Sequence, residues 1–278
     1  MILEEVVKKA SDRLKKENIN SHQLDSELIL SHIMDVGREF LILNSKLLIK
    51  KNTLKKYNYA IHRRLKREPV AYITGKKEFW SENFLVNKNT LVPRPETELM
   101  LYSVLKFFKN RTINVLDIGT GSGCVLLSIL KNLKFSRGTG IDISAKAIKV
   151  AKENAKNLNL SNRANFKIYD LKNYNIGKYD LIISNPPYIP SKDIKNLSKD
   201  IINHEPKSAL DGGIDGLDLI KKVIYKSSHL LKRNGLLVVE IGFNQYRKIA
   251  DILKRNKFRE ISKEIDYNSN VRCIISTK

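Results

Sequence analysis

Apolar residues recur along the first 67 positions at intervals of three and four. Ile2, Val6, Ala10 and Leu14 share one helical face, and Leu54, Tyr57, Ile61 and Leu65 share another. Ser21 stands where an N-cap would precede the run holding Leu24, Leu28 and Ile33. Short amphipathic helices bury such stripes against one another. Residues 1–69 are therefore predicted to form a small all-helical domain in which these side chains are core, and no catalytic constellation falls in it.

The period changes at residue 70. Residues 70–92, VAYITGKKEFWSENFLVNKNTLV, alternate aromatic and β-branched positions around turn signals at Thr74-Gly75 and Asn87-Lys88-Asn89, which predicts a β-hairpin linker. Pro93-Arg94-Pro95-Glu96 ends the strand character. Strands and helices then alternate: strand Ile113–Ile118, helix after Gly123, strand Thr139–Ile143, helix Ala145–Asn157, strand Leu181–Ser184, helix Gly216–Leu231 and strand Leu236–Ile241. That alternation predicts an α/β domain over residues 93–278 with a doubly wound, mostly parallel sheet. Phe258–Ser262 and Val271–Thr277 have no helix between them and are expected to close the sheet as an antiparallel hairpin.

Composition narrows the class without choosing a function. Apolar residues make up 42% of the 278 and are spread evenly, which argues against disorder. No stretch approaches the ~20 apolar residues that span a bilayer. The opening MILEEVVKKASDRLKK reads as an amphipathic helix rather than a signal peptide. Cys124 and Cys273 make no disulfide framework, and no His or Cys pair has metal-ligand spacing. A soluble, cytoplasmic, metal-free protein is expected, and a monomer. The net charge of +22 has two readings of equal standing. One is a polyanionic partner such as RNA or the ribosome. The other is compositional bias in a chain loaded with Lys, Ile and Asn.

Val115-Leu116-Asp117-Ile118-Gly119-Thr120-Gly121-Ser122-Gly123 is an apolar strand followed by a glycine turn that enters a helix. Glycines there permit a tight turn and a close backbone approach to a ligand. The spacing is GxGxG rather than the GxGxxG of nicotinamide proteins, and no phosphate-binding Lys follows as in a P-loop. Asp142, at the end of the next strand, sits where a carboxylate accepts hydrogen bonds from both ribose hydroxyls; it could instead cap the helix beginning near Ala145. Asp117 could hold the loop, or face the ammonium of an amino-acid cofactor through water. Together these features predict S-adenosylmethionine as the cofactor and S-adenosylhomocysteine as its product.

Asn185-Pro186-Pro187-Tyr188 follows the apolar strand ending at Ser184. In a doubly wound sheet, ligands bind at the carboxyl ends of strands. Two prolines fix φ and remove two N–H donors, so the turn aims acceptors at one point. An amide or aromatic amine nitrogen has a delocalised, poorly nucleophilic lone pair. The Asn185 side-chain oxygen and the Pro186 carbonyl can accept its two N–H bonds, draw it towards tetrahedral geometry and align the lone pair with a methyl donor. The Tyr188 ring is expected to stack on the planar group.

With both motifs in view, the chain resembles the release-factor glutamine methyltransferases, the HemK family, over nearly its full length. Arg67-Glu68-Pro69-Val70-Ala71-Tyr72-Ile73-Thr74-Gly75 is similar to the family's interdomain segment, and Val92-Pro93-Arg94-Pro95-Glu96-Thr97-Glu98 to its approach to the catalytic domain. Glu205-Pro206-Lys207-Ser208-Ala209-Leu210-Asp211-Gly212-Gly213, Asp215-Gly216-Leu217 and Glu240-Ile241-Gly242 with Gln245 resemble further family segments. The resemblance implies a class I methyltransferase fold and methylation of the glutamine side-chain nitrogen in the GGQ motif of class-1 peptide chain release factors. It implies that Gly119, Thr120, Gly121, Ser122, Gly123, Asp142 and Asn185 contact the cofactor, that Asn185, Pro186, Pro187 and Tyr188 hold the glutamine, and that the helical domain helps grip the release factor. Family members often carry a Trp after the third strand, near adenine; here Tyr169-Asp170-Leu171 puts Asp170 or Leu171 at that place. The loop 191–212 is expected to border the site, with Arg94 and Glu96 either orienting its wall or forming structural ion pairs.

The same clamp suits a glutamine on a ribosomal protein, or the exocyclic amine of adenine or cytosine. A non-catalytic ribosome factor that binds the cofactor is a fourth reading, and the intact clamp argues against it.

Overall fold

The computed structural model describes all residues from Met1 to Lys278. The chain begins with five helices, α1 (Leu3–Lys16), α2 (His22–Met34), α3 (Arg38–Leu43), α4 (Lys51–Leu65) and α5 (Val70–Thr74). A hairpin of β1 (Lys76–Phe79) and β2 (Glu82–Leu85) follows. Then come α6 (Glu98–Phe107), β3 (Asn114–Ile118), α7 (Cys124–Asn132), β4 (Arg137–Asp142), α8 (Ala145–Asn157), β5 (Ala164–Ile168) and β6 (Tyr179–Ser184). The last part holds α9 (Lys199–His204), α10 (Asp218–Leu230), β7 (Leu231–Glu240), α11 (Tyr246–Arg255), β8 (Arg259–Ile265) and β9 (Val271–Thr277). These elements form two compact units: Met1–Lys76 with Ser198–His204, and Lys77–Leu197 with Glu205–Lys278. No helix is long and apolar enough to cross a membrane.

In the helical unit, Val6, Ala10 and Leu14 of α1 pack with Ile29 and Leu30 of α2 and Tyr57 and Ile61 of α4. Helix α2 departs from its expected orientation: Leu24 and Leu28 are exposed, while Asp25, Ser26, Ile29 and Leu30 are buried. The cause lies in α4. Arg64 donates from Nε to Asp25 Oδ2 at 2.6 Å and pairs with Asp200 of α9 at 2.8 Å, with the Arg64 and Asp25 side chains only 5% and 7% exposed. Burial would lower the Arg64 pKa, but the two carboxylates outweigh it and the net shift is upward. Buried charges need partners, so the acidic face of α2 turns inward. Ser21 precedes the helix but does not cap it; its hydroxyl donates to Asp25 Oδ2 at 2.9 Å.

Residues 70–74 are helix rather than the first part of a hairpin strand. Pro69 starts the turn, the Thr74 hydroxyl donates back to the Val70 carbonyl at 3.0 Å, and Gly75 ends it at φ +71°. The hairpin is confined to β1 and β2, whose turn residues Trp80 and Ser81 both take positive φ, as a two-residue turn with matching twist requires.

In the second unit, seven strands run in the order β5-β4-β3-β6-β7-β9-β8. The strands from β5 to β7 pair in parallel, and β9 runs antiparallel to both β7 and β8. Apolar layers cover both faces of the sheet, so its central strands are apolar throughout rather than alternating. Strand order reverses between β3 and β6, and at such a switch point the loops leaving adjacent strands diverge and open a crevice.

Candidate active site

Strand register assembles the site. Ile118 pairs with Ile141 on one side and Ser184 on the other, so the carboxyl ends of β4, β3 and β6 lie abreast. The Ser184 hydroxyl donates to the Ile118 carbonyl at 2.7 Å and ties β6 to β3 at that edge. The glycine turn, Asp142 and Asn185 thus leave three neighbouring strands at one level. They border a cavity of about 480 Å³, within the usual range for small-molecule sites.

Gly119 and Gly121 take φ +73° and +55°, conformations that L side chains rarely adopt. The Gly121 N–H donates to Asp142 Oδ2 at 3.0 Å, and the Ser144 N–H donates to Oδ1 at 2.8 Å. One lone pair on each Asp142 oxygen is thereby used to fix the carboxylate, and one remains. Burial raises the Asp142 pKa against hydrogen bonding from the Ser144, Gly121 and Ile143 backbone. Helix α8 is capped by Ser144, whose hydroxyl accepts from the Ala147 N–H, and not by Asp142. Asp117 is buried, accepts from the Thr120 hydroxyl at 2.7 Å, and is pushed up to about 7, first by burial and then by the Asp142 charge.

Gly119, Thr120, Gly121 and Ser122 line the cavity; Gly123 does not. A Cβ on Gly123 would come within 3.1–3.3 Å of Phe166, Ala151 and Leu127, so its place is set by packing of the helix start. Asp170 and Leu171 both border the cavity. Asp170 caps the short turn Leu171–Asn173 by accepting from the Lys172 N–H at 2.9 Å, and Leu171 is buried. Ile143 and Tyr169 also form the wall and were missed by the sequence reading. Ile143 is 69% exposed directly after a strand-end carboxylate, an apolar side chain with no core to enter, and that position was its available signal.

The second cluster is built around Asn185. Its Nδ2 donates to Thr97 Oγ1 at 3.1 Å, and the Thr97 hydroxyl donates to Glu240 Oε2 at 2.6 Å. The Tyr188 hydroxyl donates to the other Glu240 oxygen at 3.3 Å. Glu240, the last residue of β7, is fully enclosed and pushed up to about 7, above all by burial. Burial and Glu240 together push Tyr188 up to about 12. The Arg272 guanidinium lies 6.0 Å from the Tyr188 ring centre, at cation–π range. Asn185 and Pro187 border the cavity, whereas Pro186 and Tyr188 do not.

Gln245 holds the backbone of this turn. Its Nε2 donates to the Tyr188 carbonyl at 2.9 Å and to the Gly216 carbonyl at 3.2 Å, while its Oε1 accepts from the Gly242 N–H. The loop from Glu205 closes one side, with Pro206, Ser208 and Ala209 on the cavity wall. Its first residue is buried and accepts from the Val92 N–H and the Arg94 guanidinium.

The sheet order and the crevice at its switch point define a methyltransferase fold of class I. A solved methyltransferase from Pyrococcus furiosus superposes with a TM-score of 0.55 at 16% identity, over 82% of this chain and 99% of that one. Residues 97–214 match the family model described as methyltransferase small domain, and residues 5–75 match the PrmC N-terminal domain. The release factor glutamine methyltransferase of Caulobacter vibrioides is 36% identical over 271 residues, covering 97% of this chain and 94% of that protein. The protein of the same name from Clostridium acetobutylicum is 36% identical over 282 residues, covering 100% and 99%. The chain belongs to the release factor glutamine methyltransferase family, as the motifs implied.

Proposed function

We propose that this chain transfers a methyl group from S-adenosylmethionine to the side-chain amide nitrogen of the GGQ glutamine in class-1 peptide chain release factors. The observation that carries the chemistry is the engagement of Asn185 Nδ2 by Thr97, which leaves Oδ1 as the end offered to the cavity Asn185 lines. The names borne by the full-length relatives support the choice of glutamine over other planar nitrogens.

The residues present fit the cofactor. Asp142 has an unused lone pair on each oxygen for the ribose hydroxyls, the side-chain-free turn at Gly119 and Gly121 admits a ligand against the backbone, and Ile143 and Leu171 offer apolar cover for a purine. Asp117, on the cavity wall, offers a buried carboxylate whose charged form a cationic group would favour. When bound, S-adenosylmethionine supplies an electrophilic methyl group on a sulfonium, and S-adenosylhomocysteine leaves. Asn185 Oδ1 and the Pro186 carbonyl, which a shift of the turn would have to bring to the cavity because Pro186 does not border it here, take the two amide N–H bonds of the substrate, weaken its conjugation and orient the lone pair. They also stabilise the positive charge that develops on nitrogen as the new C–N bond forms. The extra proton then departs to water, so no buried base is needed. Tyr188, held between Glu240 and Arg272, fixes the turn rather than forming a wall of the cavity.

The helical unit exposes Ile42, Leu43 and Leu48, apolar side chains suited to gripping a protein substrate. Labelled methyl transfer to a class-1 release factor is the test. Label should enter the wild-type factor, and not one whose GGQ glutamine is replaced by glutamate. Leu43→Ser with Leu48→Ser should raise KM for the factor and leave kcat alone. Label entering RNA, DNA or a ribosomal protein but not the release factor would overturn the substrate assignment.

A further inference from the structure

The clamp chemistry makes no use of Glu240, although a carboxylate enclosed to 1% exposure at the end of a central strand is costly to maintain. Its two oxygens receive Thr97, which holds the Asn185 end of the Asn185–Tyr188 turn, and Tyr188, the other end itself. The direction of this chain of bonds is dictated by chemistry. An ionised carboxylate only accepts, so the single Thr97 proton must go to Glu240. Thr97 Oγ1 then faces Asn185 with lone pairs alone, and only the NH₂ end of the Asn185 amide can satisfy it. The opposite orientation would set Asn185 Oδ1 against a hydroxyl oxygen with no proton between them.

We infer that the Glu240–Thr97 pair selects which end of the Asn185 amide meets the substrate, so that both act as positioning residues for methyl transfer. The inference rests on the proposed role of Asn185. A flipped Asn185 would present its own N–H groups to the substrate's N–H groups, and the clamp would repel what it must hold. Either amide orientation has nearly the same shape, so packing alone cannot make the choice; a proton-counting network can.

The choice depends on the ionisation of Glu240. A protonated Glu240 can donate to Thr97 Oγ1, which frees the Thr97 proton to point at Asn185 and stabilises the flipped amide. The groups facing Glu240 are Tyr188 from the turn, Arg272 and Cys273 from β9, and Glu96 beside Thr97. Arg272 favours the ionised form, and Glu96 opposes it. At saturating cofactor, kcat should therefore fall as pH drops through about 7.

Three variants test the pair. Thr97→Val preserves shape and removes the relay; at saturating cofactor and with the protein still folded it should lower kcat by about 10², and Thr97→Ser should restore the rate. In an Asn185→Ala background, Thr97→Val should have no further effect, because the two act as one unit. Glu240→Gln supplies a second readout that does not depend on absolute rate: the fall in kcat on the acid side should disappear. A wild-type rate for Thr97→Val, an equal loss in both backgrounds, or an acid limb that survives Glu240→Gln would overturn the inference. If Asn185→Ala itself kept full activity, the clamp reading would fail first. If Asn185→Ala lost activity and Thr97→Val did not, only the positioning role would fall.

Discussion

Asp142 and Asp117 lie near the carboxyl ends of the adjacent strands β4 and β3, yet their chemistry differs. Asp142 is pinned by two backbone N–H groups and keeps acceptor capacity for a diol. Hydrogen bonds to a charged group contribute about 1.5–3 kcal/mol each, so Asp142→Ala should weaken cofactor binding by at least about tenfold, read by calorimetry. Asp117 sits near neutrality because burial disfavours its charge. A cationic ligand favours the ionised form and lowers that pKa on binding. Affinity for S-adenosylmethionine should consequently rise with pH up to about 7 and then level off, with proton release on binding below that point. Asp117→Asn should flatten the profile, and a wild-type affinity independent of pH would show that Asp117 faces no cation. Among single residues, the placement of Asn185 and the glycine turn at the cavity was legible because each follows an apolar strand, whereas Asp142, the last residue of glycine-rich β4, was legible only by its distance from the glycine turn. Thr97 and Glu240 were not legible as a pair. Each looks ordinary locally, and only the packing of α6, which Thr97 directly precedes, against β7 brings Thr97 to Glu240, 143 positions away.

At the scale of elements, α2 shows where periodicity misleads. Leu24 and Leu28 follow helical spacing and still face outward, because Asp25 must meet Arg64. Stranding a buried charge costs about 3–5 kcal/mol; without Asp25, Arg64 keeps only the part-exposed Asp200, so the loss is smaller but still concentrated at α2 and α4. Asp25→Ala should therefore open α2 and α4 to hydrogen exchange, whereas Glu4→Ala, which breaks the exposed pair with Lys46, should leave exchange unchanged. Equal protection in both variants would mean that the Asp25–Arg64 pair does not hold the bundle. The parallel strands β3 and β6 were legible as apolar runs followed by glycine or proline signals; β4, whose one large apolar residue is Ile141, was legible only from the alternation of elements, and β7 begins at Leu231 rather than at the expected Leu236. Strand β5 escaped notice because an edge strand of five residues with only Ala164 and Phe166 buried carries little pattern. Helix α11 went unread although Ile249 and Leu253 lie on its buried face.

At the scale of the whole molecule, the chain passes between its two units at 76–77, 197–198 and 204–205. The first crossing lies close to a change of period that the sequence displays. The inserted segment Ser198–His204 has no such mark, since it belongs with the helices through Asp200 reaching Arg64, far off in sequence. The net charge of +22 likewise gives no direction by itself, and the substrate follows from family membership rather than from charge. The claim on which the rest depends is methyl transfer to a side-chain amide nitrogen. An N-methylated glutamine amide has a distinctive chemical fate: acid hydrolysis cleaves it to glutamate and volatile methylamine, unlike methylated lysine, arginine or a nucleobase. Release factor labelled by this enzyme, then hydrolysed in acid, should yield the label as methylamine. Label retained in an acid-stable methylated amino acid or base would contradict it.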